Sequence, residues 1–337
     1  MNKRIGRQTL SLPSAPGIRS AASVVGKKEG EGPLKNGFDR ISEDSYFGEE
    51  SWEKAESNML RQAFILACDK AKLAPSSLDY VLAGDLLNQC VSTSFALRDS
   101  GVPHLGLYGA CSTMAESLML GALLLDGGFA GSVCAITGSH FCAAERQYRF
   151  PLEYGGQRTP SSQWTVTGAG AVILGREGGR LRIPLVTPGR IVDAGITDPS
   201  NMGAAMAPAA YDTLSAHFAD TGRTARDYDA IFTGDLGALG HDLLETLFRD
   251  AGQELGLWYQ DCGVLIYDLK TQNVNAGGSG CGCSASVLCG HILPGMERGL
   301  WKRVLFAATG ALMSPTSAMQ GESIPGICHA VVIERED

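Results

Sequence analysis

The chain has 337 residues, of which 44 % are hydrophobic and 19 % are charged, so it can bury a large core as one large domain or two average ones. Its formal net charge of −8 argues against non-specific binding to nucleic acid or to an anionic lipid surface. An anionic ligand must therefore be bound by local donors. The start of the chain lacks an apolar signal core, and no segment approaches a membrane span in length, which predicts a soluble chain.

The first 50 residues are rich in glycine and charge, and their periodicity is weak. This pattern predicts an irregular segment over 1–50 that wraps the surface. The rest of the chain divides into two halves, 51–185 and 186–337, because one pattern of elements occurs in both.

The repeat begins with two matching runs, DYVLAGDL at 79–86 and DAIFTGDL at 229–236. Each run reads as a short buried strand that ends in Gly-Asp-Leu, and each follows a helical pattern. Further along, Ala-Cys-Ser at 110–112 matches Gly-Cys-Ser at 282–284, and two later strands end in Thr-Gly. Alternating helices and buried strands predict parallel sheets that are covered on both faces. We therefore expect an α/β fold, a pseudo-symmetric α-β-α-β-α sandwich with a ligand site where the strand ends of the halves meet.

Cys111 is the sharpest local feature, since it lies in a tight turn at the start of a helix that runs to about Leu125. The free N–H groups of such a helix start favour a thiolate, and they can also hold a ligand carboxylate. The alternative is a buried cysteine that fills the turn. Chemistry at this thiol needs a neighbouring base, and His140, just beyond a predicted strand, is the best placed histidine.

Two further segments offer donors for an anion. Residues 144–157 contain Arg146, Tyr148 and Arg149, and arginine forks suit a planar dicarboxylate while a tyrosine ring stacks on an aromatic acid. The alternative is an interface loop in which the arginines pair with neighbouring glutamates. A glycine-rich loop at 275–284 opens a second helix, and its N–H groups suit an anion or form a close-packed turn.

The ten cysteines do not show paired metal-ligand spacing, and several lie in apolar runs. They indicate a reducing compartment, where a buried thiol acts as a small hydrophobe. We predict no metal site and no cofactor.

Several strings resemble the thiolase and ketoacyl-synthase superfamily, namely GACSTMAES, TVTGAGAVIL and NAGGSGCGCSA. More narrowly, LAGDLLNQ, AERQYRFPLEYGGQ, GITDPSNMGAAMAPAA and ATGALMSPT resemble the stage V sporulation protein AD family of endospore formers. The second resemblance covers almost the whole chain.

The resemblance implies binding of pyridine-2,6-dicarboxylate (dipicolinate) or its calcium salt, for import of that solute during sporulation. The implied partners are membrane proteins of the same operon, with the chain peripheral at the spore inner membrane. A homodimer through the edge strand of the first half is also implied, since pairing an edge strand removes unpaired backbone groups.

The chain departs from the catalytic pattern of the superfamily. Cys111 stands at the nucleophile position, but Gly234-Asp235-Leu236 and Cys281 stand where catalytic polar residues are expected. We therefore predict a non-catalytic binding protein. The alternatives are a condensing enzyme with an atypical triad of Cys111, His140 and Asp235, and a structural subunit with a vestigial cleft.

The expected ligand-binding residues all follow from these segments and from the ends of the paired Gly-Asp-Leu strands. They are Cys111, His140, Arg146, Tyr148, Arg149, Asp85, Asn88, Asp235 and Cys281.

Overall fold

The computed structural model describes residues 3–148 and 158–337. Its strands are β1 (Arg4–Ile5), β2 (Thr9–Ser11), β3 (Gly17–Gly26), β4 (Arg40–Ser42), β5 (Tyr80–Gly84), β6 (His104–Gly106), β7 (Ser132–Ser139), β8 (Trp164–Thr165), β9 (Gly168–Gly175), β10 (Leu181–Thr187), β11 (Ala230–Thr233), β12 (Tyr259–Asp261), β13 (Gly278–Ser279), β14 (Arg303–Ala311) and β15 (Gly326–Arg335). Its α-helices are α1 (Lys27–Gly30), α2 (Trp52–Ala71), α3 (Val91–Leu97), α4 (Thr113–Asp126), α5 (Phe141–Tyr148), α6 (Met202–Thr221), α7 (Gly237–Asp250), α8 (Cys262–Leu265), α9 (Cys281–Val287), α10 (Leu293–Glu297) and α11 (Pro315–Met319).

The two halves have the same strand order. The first half runs β6-β5-β7-β9-β3 and the second runs β12-β11-β14-β15-β10, with β3 and β10 pairing at the junction. In each half the central strand is parallel to the strand that ends in Gly-Asp-Leu and antiparallel to its other neighbour. The repeat inferred from the matching runs is therefore present in the topology, and the α/β sandwich is confirmed.

The core has three layers of helix with the sheet strands between them. Buried residues of α2 pack on the outer face of the first half, and those of α6 and α7 pack on the outer face of the second. Helices α4 and α9 lie in the middle layer, where α4 contacts β7 of the first half and β14 and β15 of the second. A helix that is apolar on all sides suits this position, and α4 is rich in buried Leu, Met and Ala.

The prediction of an irregular segment over the first 50 residues is wrong in one respect. Residues 17–26 form the long strand β3, which pairs with β9 and, at its start, with β10. Its sequence, GIRSAASVVG, mixes small polar and apolar residues, so neither strict alternation nor a continuous apolar run marked it as a strand. Pairing with neighbours from distant parts of the chain decides its conformation. The predicted boundary between 185 and 186 also falls inside β10.

No helix of the described residues is both long enough and apolar enough to cross a membrane.

Candidate functional site

A cleft of about 460 Å³ lies where the two halves meet, within the usual range of about 300–1,000 Å³ for ligand sites. The first half contributes the segment after β5, the turn before α4 and the end of α5. The second half contributes the segment from the end of β14 into α11. The lining residues are Asp85, Leu86, Leu87, Asn88, Gln89, Cys90, Tyr108, Ala110, Gln147, Tyr148, Ala311, Leu312, Met313, Ser314, Pro315 and Ser317. The predicted meeting point of the strand ends is therefore where the cleft is found.

The backbone around this cleft is unusual. Gln89, Cys90 and Ala110 all have positive φ, at 59°, 48° and 50°, although none is glycine. Such conformations persist only where the surroundings hold them, and they concentrate at functional sites. At Ala110 the conformation is held by the close approach of Gly310 to the preceding residue. A Cβ added to Gly310 would lie 2.5 Å from the carbonyl oxygen of Gly109. The tight turn before α4 thus depends on a glycine of the second half.

Asp85 is the charged side chain that lines the described part of the cleft, and it is 6 % exposed. Its carboxylate accepts hydrogen bonds from the N–H of Leu87 (2.8 Å) and from the N–H (2.8 Å) and hydroxyl (2.9 Å) of Thr93. Burial raises the pKa of this carboxyl, while these three donors oppose the rise. Asp85 therefore shapes the loop after β5 as well as the cleft.

Asn88 and Tyr148, both predicted from the sequence, also line the cleft. The Tyr148 hydroxyl donates to the carbonyl of Leu86 at 2.7 Å, and burial raises the pKa of this phenol. Gln147 was not predicted. Its side chain accepts from the N–H of Asn88 (2.9 Å) and donates to the carbonyl of Leu86 (2.8 Å), which ties α5 to the loop after β5.

Cys111, Asp235 and Cys281 come together beside the cleft, although none of them lines it. The thiol of Cys111 faces the carboxyl of Asp235, and the thiol of Cys281 lies 3.3 Å from the carbonyl oxygen of Ala110. Asp235 also accepts from the N–H of Gly280 and the hydroxyl of Thr309, both at 2.9 Å. All of these thiols and carboxyls are buried.

The electrostatics of this group oppose a thiolate, contrary to the expectation from the helix start. Burial, followed by the charge of Asp235, raises the pKa of Cys111 well above its usual value. Burial and then the nearby Asp261 carboxyl raise the pKa of Asp235 to about 7, against its hydrogen bonds. The desolvation of a buried thiol outweighs the dipole of a helix that begins two residues later.

His140 does not join this group. Its Nε2 lies 2.7 Å from the carbonyl oxygen of Ser45, and its ring meets that of Phe47 edge-on at 6.5 Å. Nor does Arg146 line the cleft. Its guanidinium pairs with Glu53 and lies 5.0 Å from the ring centre of Trp52. The alternative of an interface loop whose arginines pair with Glu145 and Glu153 does not hold for Arg146, which lies in α5 and pairs with Glu53. Arg149 lies outside the described residues.

Within residues 3–148 and 158–337, one set of three potential metal ligands lies together: His241, Asp242 and Glu245 on α7. Their ligand atoms are within 4.8 Å of one another, away from the cleft. His241 stacks on Tyr259 with ring centres 4.4 Å apart, which accounts for its position without an ion.

The matches to solved structures have low sequence identity and show the fold alone. The chain is similar to human mitochondrial 3-ketoacyl-CoA thiolase, at 14 % identity and a TM-score of 0.60, with coverage of 97 % of this chain and 100 % of that one. It is also similar to 3-oxoacyl-[acyl-carrier-protein] synthase III from Aquifex aeolicus VF5, at 13 % identity and a TM-score of 0.56, covering 95 % and 100 % of the two chains. The sandwich is therefore a thiolase-like fold.

Two further matches extend over nearly the whole sequence. The family model of stage V sporulation protein AD matches residues 6–334. Stage V sporulation protein AD of Bacillus subtilis (strain 168) is 44 % identical over 333 residues, which is 99 % of this chain and 98 % of the relative. The chain therefore belongs to the stage V sporulation protein AD family.

Proposed function

We propose that this sporulation protein binds dipicolinate, free or as its calcium chelate, in the cleft between its two halves. The observation that carries the proposal is the cleft itself, which lies beside the vestigial nucleophile position and is walled by both halves. A flat aromatic diacid needs an aromatic wall and polar groups at its ends. Tyr108 and Tyr148 supply rings, and Asn88 and Ser317 supply polar side chains.

Asp85 offers the calcium of a chelate an oxygen ligand in this cleft. Its described lining contains the carboxylate of Asp85 and no lysine or arginine. A carboxylate repels a dianion, whereas calcium bound to the ligand prefers carboxylate and carbonyl oxygens. Calorimetric titration of the purified protein with dipicolinate, with and without calcium, tests the proposal. Absence of binding under both conditions would overturn the proposal and favour a structural subunit with an empty cleft.

In this proposal the protein serves import of the solute during sporulation. It acts beside membrane proteins of the same operon and is peripheral at the spore inner membrane. The family membership supports the sporulation role, and the resemblance described above supplies the solute and the partners.

We further propose that the protein does not catalyse acyl transfer, because the buried carboxyl of Asp235 stands beside the thiol of Cys111. A raised thiol pKa predicts slow alkylation of Cys111 by iodoacetamide at neutral pH, with a rate that increases as the pH rises. Mass spectrometry of the labelled peptides measures this, with the half-buried Cys142 as internal reference. Rapid labelling of Cys111 at neutral pH, or steady acetyl-CoA turnover that is lost in Cys111→Ala, would favour the condensing enzyme instead.

We also expect a homodimer through β6, the edge strand of the first half. Its outer backbone groups lack a strand partner in the described chain, and Leu105 on it is 42 % exposed. Antiparallel pairing with a second copy would satisfy these groups and cover the exposed side chains. Light scattering at micromolar concentration should give the mass of two chains. The mass of a single chain there would contradict the expectation.

A further inference from the structure

Glu56 is a buried carboxyl that sequence reasoning did not single out. It lies in the first half of α2 with no exposed surface, and neither of its carboxyl oxygens has a hydrogen-bond partner. The hydroxyl of Ser92 and the N–H of His140 face it, but neither reaches hydrogen-bonding geometry. A buried carboxylate without donors is costly, so this environment favours the neutral acid.

The position of Glu56 relates it to the cleft. Ser92 and Thr93 are consecutive at the start of α3. Ser92 faces Glu56, whereas Thr93 donates both its N–H and its hydroxyl to Asp85. Asp85 lines the cleft and Glu56 does not. Glu56 therefore lies near Asp85 but outside the lining of the cleft.

The two carboxyls have opposite surroundings. Asp85 accepts three hydrogen bonds, which stabilise its ionised form, whereas Glu56 accepts none. Burial, and next the charge of Asp85, raise the pKa of Glu56 well above its usual value. When two neighbouring carboxyls differ in this way, one holds the proton and the other the charge. Of the two carboxyls, Glu56 is the one whose surroundings favour the neutral acid.

Among residues 3–148 and 158–337, the elements packed around Glu56 do not offer it a cation. The groups that face it are Asp85 after β5, Ser92 on α3, the N–H of His140 after β7, the Cys281 thiol on α9 and Glu53 on its own helix. None of these is positively charged. Helix α5 carries Arg146, but that guanidinium is paired with Glu53 one turn earlier.

We propose that Glu56 is held as a neutral carboxylic acid near Asp85, and that a dianionic dicarboxylate binds only while Glu56 keeps its proton. The inference rests on the proposed function and adds a protonation requirement to it. If Glu56 ionised, a second negative charge would lie beside Asp85 in a medium of low dielectric constant, where charges act strongly on one another. The dianion would then face two carboxylates instead of one.

Calorimetric titration with calcium-free dipicolinate between about pH 6 and about pH 9, above the range in which free carboxylic acids titrate, tests the inference. Glu56→Gln has the same shape and stays neutral, so any pH dependence it keeps comes from other groups near the cleft, Asp235 with its pKa of about 7 among them. Relative to Glu56→Gln, we expect the affinity of the unmodified protein to fall with rising pH, by at most about tenfold per pH unit because the two proteins differ by one proton. Asp69→Asn removes an exposed carboxylate near the end of the same helix, and it should behave like the unmodified protein.

The possible results are distinguishable. A steeper fall of affinity with pH in the unmodified protein than in Glu56→Gln supports the inference. An equal pH dependence in the two proteins overturns it and leaves the proposed function intact. Absence of dipicolinate binding at every pH, with and without calcium, overturns both. Circular dichroism at each pH shows that the compared proteins are folded.

Discussion

Replacing Asp261 by alanine is expected to lower the free energy of unfolding by about 4 kcal/mol. This buried carboxylate accepts hydrogen bonds from the N–H groups of Leu236 (2.9 Å), Gly237 (3.0 Å), Gly263 (2.9 Å) and Val264 (3.3 Å) and from the hydroxyl of Thr233 (2.7 Å). Alanine removes the carboxylate that accepts from all of these donors. Each unsatisfied buried donor costs about 1–3 kcal/mol, and relaxation of the loops recovers part of the sum.

Urea unfolding measures this loss, and Asp44→Ala is the matched control. Asp44 also accepts two backbone N–H groups, from Tyr46 and Gly48, but it is exposed, so water replaces its hydrogen bonds. We expect a clearly smaller loss for the control. Equal losses in the two variants would show that Asp261 does not organise the ends of β11 and β12.

Replacing Asn88 by tryptophan is expected to weaken dipicolinate binding at least about 100-fold, equivalent to about 2.7 kcal/mol. Asn88 lines the cleft, and its contact with Gln147 uses the main-chain N–H. An indole at this position therefore fills the ligand space. The hydrogen bond from the main-chain N–H to Gln147, which holds the loop, stays intact. Calorimetric titration of the folded variant gives the affinity.

Phe129→Trp is the control for this substitution, because Phe129 is 73 % exposed and follows α4 at the opposite end of β7 from the cleft. It should bind like the unmodified protein.

Arg146→Ala tests whether the ligand binds in the cleft or at the arginine-rich segment. The sequence predicted a direct contact between Arg146 and the ligand, while the structure pairs this residue with Glu53. A large loss in Arg146→Ala together with an intact affinity in Asn88→Trp would place the ligand outside the cleft.

The arrangement of polar groups in this protein separates two tasks that a condensing enzyme combines. Around Cys111 and Asp235, the hydrogen bonds stay within the protein and the thiol keeps its proton. Around Asp85 and Asn88, the side chains border open space. In the proposed function, the side chains that border open space contact the solute, and the protonated thiol does not react with it.

The repeat, and with it the sandwich, was determined by the sequence alone. Buried parallel strands must be nearly continuous apolar runs, so the two runs that end in Gly-Asp-Leu are visible without coordinates. The position of Asp85, Asn88 and Tyr148 at the cleft could also be predicted. The ends of parallel strands and the segments that follow them meet at one edge of a sheet.

Tertiary structure decided the rest. The His140 side chain points to the carbonyl of Ser45, far away in the chain. Arg146 pairs with Glu53 and lies over Trp52, which are equally distant in sequence. The pKa of Cys111 depends on burial, which no local pattern reports, so the helix start alone predicted the wrong direction. Glu56 looks in the sequence like an ordinary helix residue. Only the packing of α2 against α3 and β7 removes it from water and brings it near Asp85.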